Sequence, residues 1–165
     1  MVDIVGLLGT EMGLRYHRKL IDALKTGDKA RCEALMDDHI EETIQEILKK
    51  TKRLSGKVLG ARAFVTWCRG AAYYTESGWR GSLKTEGGGV LINQSVHTQD
   101  LLCFLLGDPT AVDATMTNHH LKDVIEVEDT LESYIDFNGV HASFYATTSY
   151  CADVAPLIEI ACENM

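Results

Sequence analysis

Between Arg15 and Lys50 the apolar residues fall at intervals of three and four. Leu20 and Leu24 form one stripe, and Met36, Ile40, Ile44, Ile47 and Leu48 form a second. Residues at those spacings share one face of an α-helix, so both stretches read as amphipathic helices. Thr26-Gly27-Asp28 separates them. Gly27 suits the left-handed conformation that ends a helix, and Asp28 suits the cap of the next one. The pattern predicts a helical hairpin filling residues 1–54.

Beyond Ser55-Gly56 the period changes from three and four to two. "KVLGARAFVTWC" reads as a strand. In "TLESYIDF-NG-VHASFYATTSY", Leu131, Ile135 and Phe137 alternate with polar residues, and Asn138-Gly139 offers the two positive φ angles of a type I′ hairpin turn. Between these strands lies "GGGVLINQSVHTQDLLCFLLG". There Leu91, Val96, Leu101, Leu102, Leu105 and Leu106 suit a helix packed on the sheet, which Gly107 ends. Residues 55–165 are therefore expected to form a second unit, a mainly antiparallel sheet with a packed helix. The fold class is α+β.

Composition narrows the function classes. The chain has 165 residues, 45% of them hydrophobic, which is enough for one ordinary domain or two small ones. Its net charge of −8 carries no Lys/Arg-dense face, which excludes the electrostatic footprint of nucleic-acid binding and of attachment to an acidic membrane. The expected partner is a small molecule or another protein chain. No apolar run approaches the roughly 18 residues of a membrane span. Asp3 stands where a signal peptide would carry basic residues, so a cytoplasmic location is expected. Cys32, Cys68, Cys103, Cys151 and Cys162 form no C-x-x-C pair and are odd in number. They read as reduced thiols.

The opening "VDIVGLLGTEMG" has the texture of a strand running through glycines into a helix. A dinucleotide loop needs G-x-G-x-x-G, so that the backbone can approach the pyrophosphate and the helix can pack on its strand. Here the glycines fall at Gly6, Gly9 and Gly13, and Glu11 would set a carboxylate near the phosphates. The stretch reads instead as an apolar lead-in and a loop before a helix.

"YHRKLIDALKTGDKARCEALMDDHI", and residues 14–48 around it, resembles the closing helices of the FadR C-terminal (FCD) domain, the effector-sensing module of GntR-type regulators. At a rise of roughly 1.5 Å per residue, His17 and His39 lie about 15 and 18 Å from the turn, so antiparallel helices bring them level. The resemblance implies that these two histidines bind a divalent metal such as Zn or Ni. In the family, ligands from an earlier helix complete the site. Two ligands alone hold such a metal poorly.

From Lys57 to about Ile160 the chain resembles the C-terminal domain of the Gfo/Idh/MocA oxidoreductases, NAD(P)-dependent enzymes acting mostly on sugars and cyclitols. The likeness runs through "GKVLGARAFVTW", "YYTESGWRGSLKTEGGGVLINQSVHTQDLLCFLLG", "IEVEDT", "ATTS" and "LIEI". It implies that "IEVEDT" is a strand and that His97 is the acid/base residue. Loss of a hydride from a secondary alcohol requires a base for the hydroxyl proton, and histidine titrates near neutrality. Four residues earlier the family has an aspartate. Here it is Asn93, which exchanges hydrogen bonds with sugar hydroxyls but holds no titratable proton. Tyr74, Trp79 and Arg80 would line the substrate pocket, Arg80 facing a carboxylate or phosphate oxygen. Without the resemblance, the apolar pattern around His97 reads it as a core histidine. His119 and His120 read as solvated strand-end residues, and Glu126, Glu128 and Asp129 as an exposed acidic face.

Family members carry a nucleotide-binding domain ahead of this segment, with a catalytic lysine in an E-K-P motif, and neither is found in the sequence. The expectation is a fusion of two truncated modules that retains a sugar-binding and oligomerisation domain, binds no NAD(P) by itself and lacks dehydrogenase activity alone. A hairpin of about 50 residues buries little apolar surface, and a shortened sheet exposes an edge. Self-association relieves both, so a homo-oligomer, most simply a twofold dimer, is expected. The competing expectation is a sensor module that holds metal or a small carboxylate among its helices.

Overall fold

The computed structural model describes residues 2–3, 10–51 and 55–164. In chain order the elements are β1 (Val2–Asp3), α1 (Thr10–Thr26), α2 (Lys29–Thr51), β2 (Ser55–Thr66), α3 (Ala71–Thr75), α4 (Val96–Leu106), β3 (Ala111–Thr117), β4 (Thr130–Phe137), β5 (Val140–Thr147) and β6 (Leu157–Asn164). The fold is α+β, as the periodicities predict. Among the described residues no helix is long and apolar enough to cross a membrane.

The hairpin turn forms as its residues require. Gly27 takes φ 70°, and its N–H donates to the Leu24 carbonyl at 3.1 Å while the Asp28 N–H returns to Ala23 at 3.3 Å. Asp28 Oδ1 accepts the Arg31 N–H at 3.0 Å and so caps α2. Arg15 and Glu42 pair across the helices at 3.0 Å. Two helices have a single seam, and only part of each stripe fits into it. Ala23 is buried, while Leu24, Met36 and Ile40 remain exposed. The side chains of Ile47 and Leu48 lie outside the described residues.

The sheet has the order β1-β6-β2-β5-β4-β3. β4 and β5 form the expected hairpin, with Asn138 at φ 54° and Gly139 at φ 90°. Four neighbour pairs are antiparallel, whereas β2 and β5 run parallel from Ala61↔Ala142 to Thr66↔Thr147. One face forms the core. Ala63 and Val65 of β2, Ala142, Phe144 and Ala146 of β5, Leu131 and Phe137 of β4, and Ile158 and Ile160 of β6 pack under Leu102 of α4 and Val90. Burying a side chain such as Phe144 contributes about 1.5–3 kcal/mol. The opposite face is open, with an Arg62–Glu159 ion pair and Tyr134 stacked on His141 at 5.0 Å between centroids.

Three local expectations change. α4 begins at Val96, so Leu91 lies in the turns before it. Gly89 packs so closely on the Glu128 carbonyl that even a Cβ would overlap it, which holds that stretch in turns. "IEVEDT" becomes extended only from Thr130, because the side chain of Asp129 bonds backwards to His120 and Leu121 and keeps the preceding chain folded on itself. β3 was not anticipated: Val112 and Met116 lie at the open margin of the sheet, exposed at 59% and 56%, and give no contrast of burial along the strand.

Candidate functional site

The loop from Gly78 to Asn93 is fastened to the rest of the sheet domain by acidic side chains. Glu126 Oε2 accepts the Ser82 hydroxyl and the Leu83 N–H, both at 3.1 Å. Glu128 Oε1 accepts the N–H groups of Gly89 and Leu91 at 3.0 Å. Asp129 is fully buried. Its Oδ2 accepts His120 and Leu121 N–H at 2.9 and 3.0 Å, and its Oδ1 accepts the Thr130 hydroxyl at 2.9 Å. Glu126 is exposed, as expected, while Glu128 is half-buried and Asp129 fully buried, so the reading of these acids as an exposed face is corrected at those two positions. Backbone N–H groups in turns have no ladder partner, and carboxylates supply the missing acceptors. Burial pushes the Asp129 carboxyl upward, but the Leu121 N–H, the Thr130 hydroxyl, the His120 N–H and nearby His119 outweigh it and hold the group below its ordinary range. His119 and His120 are exposed, as expected.

The fastened loop carries Trp79, Arg80 and Asn93, and the helices on either side of it carry Tyr74 and His97. Tyr74, on α3, is buried with Leu121, Ile125 and Val127, and its hydroxyl lies 3.2 Å from Thr148 Oγ1. Burial pushes its phenol upward, with Glu86, Tyr73 and Asp129 adding to the effect against the Thr148 bond. Its neighbour Tyr73 turns a ring face to Arg80, whose guanidinium carbon lies 4.2 Å from that ring centroid and 4.7 Å from that of Trp79. Arg80 Nε is buried without a hydrogen-bond partner, and among the described residues no carboxylate pairs with this guanidinium.

Glu86 joins the two halves of the loop. Its Oε2 accepts the Gly81 N–H and its Oε1 accepts Asn93 Nδ2. Gly81 stands at φ 80° with Ile125 where a Cβ would be, so no other residue fits there. One peptide link and two hydrogen bonds therefore connect Arg80 to Asn93, four residues before His97. His97 is exposed on the first turn of α4, and its side chain makes no hydrogen bond, ion pair or ring contact among the described residues. It is not a core histidine. Leu102 of α4 faces the sheet with Leu101, Leu105 and Leu106 packed around it, whereas His97, like Val96 and Phe104, lies on the exposed part of the helix. Tyr73 and Glu86 were not singled out from sequence. Glu86 could have been noticed as the acid heading "EGGG" seven residues before Asn93.

Among the described residues, three cavities lie away from these side chains. Two grooves of about 500 Å³ run over the open sheet face, one along Phe64, Tyr134 and Tyr145 and one along Arg62 and Glu159. An apolar cavity of about 240 Å³ lies between α4 and β3 and β4.

The hairpin brings His17 and His39 together, ring centroids 5.9 Å apart, with Tyr16 against His39 at 4.9 Å. Among the described residues no group of three His, Cys, Asp or Glu side chains is arranged to hold a metal. Residues 4–9 of the glycine stretch lie outside the described residues, and Glu11 and Gly13 fall within α1. β1 pairs antiparallel with β6, whereas a dinucleotide site is built on parallel strands joined through a helix.

Comparison with known proteins supplies the family. The model of the GFO/IDH/MocA C-terminal domain matches residues 42–165. The WlbA dehydrogenase from Bordetella pertussis, solved with NADH and UDP-GlcNAcA, is 28% identical with a TM-score of 0.65, over 72% of this chain and 37% of that one. The WlbA dehydrogenase from Chromobacterium violaceum, also with NADH and UDP-GlcNAcA, is 29% identical with a TM-score of 0.62, over 72% of this chain and 34% of that one. A levoglucosan dehydrogenase in complex with NADH and levoglucosan shares the fold at 24% identity and a TM-score of 0.59, over 68% of this chain and 32% of that one. Among curated proteins, none matches. The chain thus spans about a third of the length of these solved relatives. With well over half of its residues inside the family match, it belongs to the GFO/IDH/MocA C-terminal domain family.

Proposed function

We propose that this chain is the sugar-binding and oligomerisation part of an NAD(P)-dependent sugar dehydrogenase, and that alone it shows no dehydrogenase activity. The observation that carries the reading is the linked set Arg80–Gly81–Glu86–Asn93, which ties an arginine without a carboxylate partner to the helix start bearing His97. Arg80, held between the faces of Tyr73 and Trp79, is suited to an oxyanion. A sugar carrying a carboxylate or phosphate is the matching ligand class. Asn93 bonds a sugar hydroxyl, and His97, open to solvent, receives a hydroxyl proton when the alcohol carbon is oxidised. The nicotinamide cofactor, which would accept the hydride, would be held by residues other than those described here.

The test uses the whole chain and UDP-GlcNAcA, the ligand of the solved WlbA relatives. UDP-GlcNAcA is expected to raise the melting temperature, His97→Ala to abolish most of the rise, and NADH alone to cause none. An unchanged wild-type melting temperature at millimolar UDP-GlcNAcA overturns the sugar-binding reading. Saturable NADH binding overturns the absence of a cofactor site.

We also propose a twofold dimer, supported by the exposed Leu24, Met36 and Ile40 of the hairpin and by the open sheet face. The second reading, an FCD-like sensor in residues 14–48, is favoured by the facing rings of His17 and His39. In that case Zn or Ni binds between the hairpins of two copies, which together supply four imidazoles. Metal-induced stabilisation lost in His39→Ala would support this reading. No ion retained after reloading and dialysis rejects it.

A further inference from the structure

Asn93 can point either a donor or an acceptor at whatever lies beside His97, because the two ends of its amide have the same shape. Its neighbour decides between them. The Glu86 carboxylate offers acceptors only, one spent on the Gly81 N–H and the other on Asn93 Nδ2. An amide turned by 180° would set Asn93 Oδ1 against Glu86 Oε1, replacing a charge-assisted hydrogen bond with contact between two acceptors.

Glu86 is itself immobilised. Its N–H donates to the Ser82 carbonyl at 2.9 Å, and its partner Gly81 is wedged against Ile125. Asn93 Oδ1 is thereby left over. Among the described residues nothing donates to it, and it is not one of the buried polar atoms shut away without a partner.

We propose that Glu86 is a positioning residue that fixes the Asn93 amide with its carbonyl toward the ligand, so that the site accepts a hydrogen bond from a sugar hydroxyl at this point. This rests on the sugar-binding reading above and adds a selectivity to it. A sugar with a free hydroxyl at that position is bound, and one with an ether, ester or carbonyl oxygen there meets a second acceptor and is disfavoured.

The same geometry specifies how to reverse the polarity without removing a hydrogen bond. In Glu86→Gln the new amide oxygen keeps the Gly81 N–H, so its NH2 faces Asn93. Asn93 must then turn round, and it presents NH2 to the ligand. Adding Asn93→Asp restores an acceptor on both sides, since the carboxylate accepts from Gln and keeps its second oxygen for the ligand. All three proteins satisfy the same internal partners and are expected to fold alike.

Two measurements on the whole chain test the proposal. The first is hydrogen exchange of the Asn93 side-chain amide followed by nitrogen-resolved NMR, the resonance being assigned by its loss in the double variant. Exchange of the Nδ2 hydrogens is expected to be at least tenfold faster in Glu86→Gln than in the wild type. Equal rates overturn the proposal. The second is titration with UDP-GlcNAcA. Glu86→Gln is expected to weaken binding about tenfold or more, and Glu86→Gln/Asn93→Asp to recover to within about threefold of wild type. Equal affinity of wild type and Glu86→Gln overturns the proposal, as does a double variant no better than the single one, which marks a merely structural role. UDP-GlcNAcA binding to none of the three proteins defeats the sugar-binding reading instead, and the amide exchange then decides the role of Glu86 alone.

Discussion

Replacing Asp129 by Asn keeps the shape of a fully buried side chain and removes only its charge. The two N–H groups of His120 and Leu121 can stay on the remaining oxygen. The new NH2, however, meets the Thr130 hydroxyl and His119 Nδ1, which lie 2.9 and 3.4 Å from Asp129 Oδ1. A hydrogen bond to a charged acceptor contributes about 1.5–3 kcal/mol against about 1 kcal/mol for a neutral one. Weakening two such bonds and losing a third gives a destabilisation of about 2–4 kcal/mol. For a chain of this size each kcal/mol lowers the melting temperature by about 2–4 °C, so a fall of about 4–16 °C is expected.

The carboxyl also predicts a pH dependence. Its unfolded value is about 3.9, and in the fold the donors around it hold it lower despite its burial. Its stabilisation is therefore complete above roughly pH 5 and is lost as the pH falls through the folded value. Urea unfolding of wild type and Asp129→Asn at pH 7 and pH 3 checks both points. The gap between the two proteins should be full at pH 7 and smaller at pH 3. A gap under about 0.5 kcal/mol at pH 7, a loss typical of uninvolved surface positions, or a gap that does not shrink in acid refutes the reasoning.

Further outcomes follow from packing and surface. Gly89→Ala forces a methyl group into the Glu128 carbonyl, and thermal melting should show a loss of about 2 kcal/mol or more, in the range of overpacking; an unchanged melting temperature refutes the contact. Phe144→Ala empties the centre of the core under α4 and should cost about 3–5 kcal/mol in urea unfolding; a cost below about 1 kcal/mol would show that the site collapses without a cavity. Light scattering at micromolar concentration should give the mass of two chains, and a compact monomer rejects the dimer.

Much of the local structure was legible because its causes lie within a few residues. Gly27 and Asp28 fix the helical turn through bonds to Leu24, Ala23 and Arg31. Asn138-Gly139 fixes the β4–β5 hairpin through two positive φ angles. Gly107 ends α4 in the same way. Of the candidate site, Asn93 and His97 were singled out through the family resemblance, whereas the apolar pattern alone reads His97 as a core histidine. Glu86 was not singled out, because the turn that carries it back to Asn93 leaves no periodic signal.

By itself the sequence determined the fold class, the two textures that meet near residue 55, and the residue types available for chemistry. Periodicity and turn chemistry are local and act before any tertiary contact exists. Tertiary structure alone decided which strands distant in the chain lie side by side, including the parallel β2–β5 pair. It also made Glu126 and Glu128 acceptors for a distant loop, and it left His97 exposed beside an apolar helix face. In each case the cause is a contact between residues far apart in the chain, where the need to pair a buried N–H or to cover an apolar face outweighs what any short stretch of sequence prefers.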